Sequence, residues 1–253
     1  MTLYALSRLV DDAVDEASDP QAAQDQIKLW RQRIEFCYGE SQAIPENLQH
    51  PLLTELKDTI QQFQMPLPYF LDLLEGMQMD LEKNRYPHFQ DLEKYCYHVA
   101  GTVGLLCNCI FGVEGAGAKD YAIHLGTAFQ LTNILRDVGQ DAQKGRIYLP
   151  LEDLSHFGIS EEDILAGRES KNFTQLMNFE MQRAESFFKQ AEADLNKRLR
   201  KKILPAEIMS VFYRRILAKL ENKNYPVFHE ERVSLKKWEK LGLLGATLVQ
   251  SIL

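Results

Sequence analysis

Apolar residues recur every three to four positions through most of this 253-residue chain, and that spacing limits what it can fold into more than any other feature. A period near 3.6 buries one stripe of an α-helix. No stretch alternates apolar and polar residues at a period of two for long enough to make a sheet. Leu3, Leu6, Val10 and Val14 form one stripe over Met1–Val14, and Ile27, Trp30, Ile34 and Tyr38 form another over Gln21–Tyr38. Leu52–Phe63 is a third, ended by Met65-Pro-Leu-Pro68, whose Pro68 fits the first turn of a helix over Tyr69–Glu82. Phe89–Phe111 reads as one long, mostly buried helix containing Gly101 and Gly104, and Lys119–Val138 as another, followed by a loop from Gly139 to Pro150. Ile159–Leu165, Phe173–Leu199 and Pro205–Asn222 complete the set. No repeat or low-complexity linker divides the chain, so residues 1–253 are expected to form one all-α domain of eight or more helices.

Composition removes several classes of function. Hydrophobic residues make up 45% and charged residues 26%, as in a chain with a packed core. A net charge of -7 argues against a nucleic-acid partner, which needs a concentrated basic surface. Cys37, Cys96, Cys107 and Cys109 have neither CxxC spacing nor a histidine placed to complete a zinc site, and read as small buried apolar residues in a reducing cytoplasm. No basic segment followed by an apolar run marks a signal peptide. The apolar stretch Leu241–Leu253 is 13 residues long, short of the roughly 20 needed to span a bilayer. It is expected to be the last core helix, with peripheral contact at the inner membrane surface as the alternative.

Two acidic motifs carry the chemistry. In Asp11-Asp12-Ala-Val-Asp15-Glu16, Asp11 and Asp15 are one helical turn apart, so like charges share a face at a local cost that suggests an outside cation. Alone, such a cluster reads first as a solvated acidic turn. The second motif changes the balance. Asn133, Asp137 and Asp141 recur at i, i+4, i+8 if the helix persists through Gly139, between the apolar flanks Phe129, Leu131, Ile134 and Leu135. Carboxylates on a buried helix must be paired or bind metal. Mg²⁺ takes hard oxygen ligands from a few carboxylates together with phosphates and water, and two carboxylate pairs on facing helices match that need. Arg8 and Arg136, beside the motifs, are placed to grip diphosphate oxygens. Gly145-Arg146-Ile-Tyr148-Leu-Pro150 is expected to fold over the site, and Arg85-Tyr86 adds a cation and an aromatic ring, each a weak signal alone.

With these motifs in order along the chain, the sequence resembles the squalene/phytoene synthase family. The matching residues are Tyr4-Ala-Leu-Ser-Arg8-Leu-Val-Asp11-Asp12-Ala-Val-Asp15, Gly76-Met-Gln-Met-Asp80, Tyr95-Cys-Tyr-His-Val-Ala-Gly101-Thr-Val-Gly104, and Gln130-Leu-Thr-Asn133-Ile-Leu-Arg136-Asp137-Val-Gly-Gln-Asp141 through Arg146-Ile-Tyr148-Leu-Pro150. The resemblance implies the all-α isoprenoid synthase fold, with a central cavity and three Mg²⁺ ions between the acidic motifs. By it, Asp11, Asp15, Asp137 and Asp141 hold metal; Asn133, Gln130, Arg8, Arg136 and Arg232 contact diphosphate; and Tyr4, Tyr95, Tyr148 and Tyr213 line the reaction centre. Val99, Ala100, Gly101 and Gly104 are small enough to wall a prenyl pocket, although tight helix packing explains them equally. Candidates for its closed end are Phe111, Leu105, Leu106, Phe129 and Leu131.

The resemblance is strongest to the hopanoid-pathway presqualene diphosphate synthases, through Gly76–Asp80 with Arg85-Tyr86 and through Arg232-Val-Ser-Leu-Lys-Lys-Trp238-Glu-Lys-Leu241. It implies head-to-head condensation of two farnesyl diphosphates, with phytoene synthesis from two geranylgeranyl diphosphates as the alternative. The family's further N-terminal helix, ahead of the first acidic motif, is expected to be missing, since Asp11 follows Met1 by ten residues. No glycine-rich dinucleotide fingerprint occurs, so NADPH is not expected. Downstream isoprenoid enzymes are the natural partners. Two other classes compete. A non-catalytic helical scaffold in a membrane-associated isoprenoid assembly would tolerate a missing acidic ligand, and none is missing. A nucleotide diphosphohydrolase would favour Glu-x-x-Glu pairs and base-recognising groups, which the Asp-rich motifs and small apolar residues do not offer.

Overall fold

The computed structural model describes residues 2–15, 19–41, 43–194, 200–228 and 232–252, without the side chains at 11, 13–15, 116 and 249–252. Among the described residues there are twelve α-helices and no strand. They are α1 (Thr2–Asp15), α2 (Pro20–Tyr38), α3 (Leu52–Phe63), α4 (Leu67–Glu82), α5 (Phe89–Cys96), α6 (Thr102–Phe111), α7 (Ala116–Gln143), α8 (Leu151–His156), α9 (Glu161–Leu165), α10 (Lys171–Asp194), α11 (Leu204–Asn222) and α12 (Lys237–Ile252). Local chemistry sets several ends. Asp19 caps α2, its carboxylate accepting from the Ala22 N–H at 2.9 Å, and Pro68 lies in the first turn of α4. Ser160 and Asp163 form a reciprocal cap at the start of α9.

Three expectations need correction. The stretch Phe89–Phe111 is not one regular α-helix: a π turn over Tyr97–Gly101 joins α5 to α6. Such a turn inserts a residue and re-aims the side chains that follow, a change of phase that apolar periodicity does not reveal. Second, α7 runs unbroken through Gly139 to Gln143, so the loop is only residues 144–150. That loop is tied down by backbone bonds, with Ile147 N–H to the Asn84 carbonyl at 3.0 Å and Leu151 N–H to the Tyr86 carbonyl at 2.9 Å. Third, α12 is not a core helix. Trp238, Leu241 and Leu248 are 69%, 68% and 39% exposed, whereas Leu243 packs partly against the core.

Two apolar clusters organise the rest. One is centred on α7, which packs along α10 on one side and against α6 and the π turn on another. The second joins α1 to α4 and is closed by Leu106 of α6. Cys37 and Cys96 are buried, Cys107 and Cys109 partly so, and all four are free thiols. A buried ion network holds α8 to α10: the Arg183 guanidinium donates to Asp153 at 2.7 Å and to Glu180 at 2.7 Å, and stacks over Phe89. α7 approaches its neighbours closely because of glycine. A Cβ on Gly104 would lie 2.7 Å from the Ala122 carbonyl oxygen, and one on Gly126 2.6 Å from that of Ala100.

Both contacts are with backbone, which cannot rotate away. Gly126→Ala should therefore destabilise the protein by about 1–3 kcal/mol and lower Tm by about 2–4 °C per kcal/mol. Gly245→Ala, on exposed α12 where a Cβ meets nothing within 4 Å, should gain about 0.5–1 kcal/mol through helix propensity. Scanning calorimetry of both variants is the check, and a Gly126→Ala protein as stable as the parent would refute the close-packing account.

Candidate active site

The unbroken α7 places Asn133, Asp137 and Asp141 one turn apart on one face. Arg136 Nε and Nη2 donate to the two Asp137 carboxylate oxygens at 2.9 and 2.6 Å. Arg232, from the segment before α12, grips the same two oxygens at 2.7 and 2.6 Å. Burial works to raise the Asp137 pKa, but the hydrogen bonds from the two guanidiniums outweigh it and hold the group below the usual carboxylate range. Asp141 is the opposite case. Burial, then the charge of Asp137, push it up to about 7, and no hydrogen bond reaches its side chain among the described residues. Asp11 and Asp15 lie on the last turns of α1, but their side chains fall outside the described residues. Arg8 is exposed and pairs with Asp12 at 3.3 Å. Among the described residues, no three His, Cys, Asp or Glu side chains converge as a metal cluster.

Below this charged end runs an elongated cavity of about 390 Å³ between α6, α7 and α11. Asn133 and Gln130 stand at its polar end, where Asn133 Nδ2 donates to Gln130 Oε1 at 3.3 Å. Val99, Ala100 and Gly104 line it as expected, but Gly101 does not; it packs between Tyr97 and Ile123. Tyr213 of α11 stacks on Phe129 across the cavity, ring centroids 4.3 Å apart. Phe111 and Phe129 border it, whereas Leu106 and Leu131 are packed in the core away from it, and Leu105 borders a different cavity, near the α3–α4 turn. Tyr121, which neither motif nor periodicity singles out, lines the far end.

A second chamber of about 250 Å³ shares Val99, Val103 and Gln130 with the first and is bordered by Ser7 of α1 and Asp80 of α4. Ser7 is one turn before Asp11 and Gln130 is two turns before Asp137, so α1 and α7, the helices carrying the acidic motifs, face a common space. Asp80 is the second residue that sequence reasoning missed. Tyr95 and Tyr148, from α5 and the 144–150 loop, both donate to it, each at 2.8 Å. The two rings stack on one another, and Tyr86 stacks on Tyr148 and lies tilted against Tyr95, its buried hydroxyl without a partner among the described residues. Burial, reinforced by the Asp80 carboxylate, drives the Tyr95 and Tyr148 pKa values upward, so both stay neutral donors. Tyr4 is not brought into this group: it is 74% exposed on α1. Arg85 is engaged by Glu161 and by the Asn84 and Gly145 carbonyls, a structural rather than a site position. The motif around Gly76–Asp80 was the available signal for Asp80, but contacts made by residues 15 and 68 positions away cannot be read from spacing.

The model of the squalene/phytoene synthase family matches residues 1–239. A 15-cis-phytoene synthase of Synechococcus elongatus is 36% identical, over 98% of this chain and 82% of that protein. The chloroplastic phytoene synthase of Narcissus pseudonarcissus is 34% identical over 99% of this chain, which spans 59% of that longer protein. Among solved structures, the squalene synthase HpnC of Alicyclobacillus acidocaldarius superposes with a TM-score of 0.77 at 27% identity, over 88% of this chain and 82% of that one. A dehydrosqualene synthase in complex with ligand gives 0.79 at 27% identity, over 98% and 84%. The architecture is that of these all-α isoprenoid synthases.

The Asp80 arrangement is testable without substrate. Tyr95→Phe should cost about 1 kcal/mol, and Asp80→Ala more, because two buried hydroxyls lose an acceptor. The double variant should be less destabilised than the sum by at least about 0.5 kcal/mol. Strict additivity in denaturant unfolding would mean that Asp80 does not hold the Tyr95 hydroxyl.

Proposed function

Because the chain belongs to the squalene/phytoene synthase family, we propose that it condenses two farnesyl diphosphates head to head into presqualene diphosphate. The observation that carries this reading is the meeting of two opposed environments on α7: a carboxylate–guanidinium end at Asn133, Asp137 and Asp141, and an apolar cavity walled by small and aromatic side chains directly below it.

The residues fit a divalent cation. Asp141 is a part-buried carboxyl raised by desolvation and by its neighbour's charge and lacking hydrogen-bond donors among the described residues, a state that a hard cation relieves. In this reading Asp137 and Asp141 hold Mg²⁺ from one side, with Asp11 and Asp15 from the other. Bound metal neutralises charge on the departing diphosphate. Arg136 and Arg232, which donate to Asp137 and keep it ionised, would complete the neutralisation, with Asn133, Gln130 and Arg8 orienting the phosphates. The C1–O bond of one donor breaks, leaving an allylic cation. The double bond of the second donor adds to it, and proton loss closes the cyclopropane. The second donor keeps its diphosphate. The faces of Tyr95, Tyr148 and Tyr213 suit stabilisation of the cation, and the apolar walls keep water from it.

Two chambers that share a wall suit two donors. The depth of the first cavity supports the shorter donor. Asn133 and Tyr121 are 12 residues apart on α7, about 18 Å at 1.5 Å per residue. An extended farnesyl chain spans roughly 15 Å and a geranylgeranyl chain roughly 20 Å at carbon–carbon spacings of ~1.5 Å. The C15 chain is shorter than that span and the C20 chain longer, which supports the C15 donor. The second reading, two C20 donors giving phytoene, is favoured by the phytoene synthases that align over 98% and 99% of the chain. No described helix is long and apolar enough to cross a membrane, and α12 presents Trp238 and Leu241 to the surface, a face compatible with peripheral lipid contact. The reaction is proposed to stop at the cyclopropyl diphosphate, without NADPH.

Asp137→Ala should reduce turnover of farnesyl diphosphate with Mg²⁺ by at least about 10²-fold while leaving the helical circular dichroism intact. Product analysis with and without NADPH should give presqualene diphosphate in both cases. Normal activity of the variant would remove the metal assignment, and squalene from the pure protein would overturn the stopping point. A preference for geranylgeranyl diphosphate in direct competition would move the assignment to phytoene synthesis.

A further inference from the structure

We propose that Tyr121, held by its hydroxyl to Glu207, is the stop that sets the length of prenyl chain this cavity admits. The inference rests on the prenyl-diphosphate reading above and assigns the length limit to a residue outside the charged site and the tyrosine stack.

The face of α7 that borders the cavity is graded. From the charged end it runs down two neighbouring stripes, Asn133, Gln130, Gly126 and Ala122 at steps of three and four, and Phe129, Leu125 and Tyr121 at steps of four. Gly126 and Ala122 are small, and Tyr121, one turn beyond Leu125, is the bulky residue of α7 that borders the cavity farthest along the helix from Asn133; Phe111, the last residue of α6, lines it as well. Tyr121 is 3% exposed, and its hydroxyl donates to Glu207 Oε1 at 2.8 Å. Glu207 lies in the first turn of α11, beside Pro205 and Ala206, which also line the cavity. This one hydrogen bond ties α7 to the first turn of α11, two walls of the cavity, at the depth of the Tyr121 ring.

The pinning matters as much as the size. An unpinned apolar side chain at a cavity end can change rotamer and yield to a longer ligand. A ring anchored at its tip must first break a part-buried bond to a carboxylate. Each additional isoprene unit then meets a barrier that neither Gly126 nor Ala122 would provide. None of the diphosphate-contacting or tyrosine-cluster residues touches this end, so the stop can be altered without altering the charged site.

The test compares the parent protein, Tyr121→Ala, Tyr121→Leu and Tyr121→Phe, each with Mg²⁺ and an equimolar mixture of farnesyl and geranylgeranyl diphosphates. Products are counted by mass. Tyr121→Ala should raise the C20-to-C15 product ratio by at least about tenfold, in line with the cost of extra methylenes in a confined pocket. Tyr121→Leu should shift it in the same direction, and Tyr121→Phe, which keeps the ring and loses the clasp, by less. A folded Tyr121→Ala protein with an unchanged ratio overturns the proposal. If Tyr121→Ala does not fold, Tyr121→Leu decides by the same criterion. If the parent condenses neither donor, the reaction assignment fails. The stop is then judged from titrations of the non-hydrolysable thiodiphosphates of both chain lengths, where only the longer should bind Tyr121→Leu more tightly. If the parent prefers the C20 donor, the C15 assignment falls, and the stop is judged by whether Tyr121→Leu admits a C25 donor.

Discussion

A helix that is apolar along most of its length and carries two carboxylates near one end cannot be stable unless something answers that charge. α7 is this helix, and much of the architecture reads as the answer. Asp137 is met by Arg136 within the helix and by Arg232 from a segment nearly a hundred residues later in the chain. For Arg232 to arrive, the chain after α11 must fold back across α7. It does so at Gly139, where a Cβ would lie 2.0 Å from the Val227 carbonyl oxygen. Phe228 is anchored on the ring of Phe173 with centroids 5.0 Å apart. Glycine within the acidic motif is thus a packing requirement of the segment that neutralises the motif. Its helix propensity cost of roughly 1 kcal/mol is offset by that close approach.

The same helix separates two solvents. Toward its C-terminal end the environment is ionic. Toward its N-terminal half it is a cavity wall of Gly126, Ala122 and aromatic rings. Ionising an allylic diphosphate requires both, since the departing anion needs cations and the remaining carbocation must meet neither water nor a strong nucleophile. Asp80 illustrates how the boundary is kept. It is a carboxylate on the wall of the smaller chamber that adjoins the apolar cavity, but two tyrosine hydroxyls occupy its two oxygens and turn their ring faces together. A potentially nucleophilic anion becomes the brace for a stack of aromatic rings.

How much of this the sequence disclosed follows from the range of each interaction. The helices were legible because period 3.6 is local, and so was the acidic stripe on α7, since i, i+4 and i+8 share a face whatever else surrounds them. The extension of α7 past Gly139 was open, because glycine ends helices as readily as it lets them be crossed. The π turn at Tyr97–Gly101 left no periodic signature and moved Gly101 off the pocket wall while keeping Val99 and Ala100 on it. Leu105, Leu106 and Leu131 looked like pocket residues because they are apolar, yet apolar character alone does not tell core from cavity lining. Tyr121 escaped notice, and Asp80 was visible only as part of a motif without a role, because their partners, Glu207 for the one and Tyr95 and Tyr148 for the other, are joined to them by the fold alone. The exposed face of α12 escaped for the converse reason: an apolar stripe predicts a helix but not what covers it.

The division of labour along α7 bears on what similarity to other synthases can mean. On the proposed reading the charged end acts on the diphosphate and the first carbons of each donor, and these are common to C15 and C20 substrates. Residues there, and the tyrosines beside them, can match phytoene synthases and squalene-type synthases equally well without preferring either chain. Discrimination has to come where the two donors differ, beyond the third isoprene unit, at the level of Tyr121 and Phe111. A close-packed interior does not yield several methylenes of space without strain, so a single bulky, anchored side chain at that depth outweighs many shared positions nearer the metal end. Identity of 36% over nearly the whole chain therefore speaks to the reaction class, while donor length, on the proposed reading, rests with a few side chains that overall identity weights no more than any others.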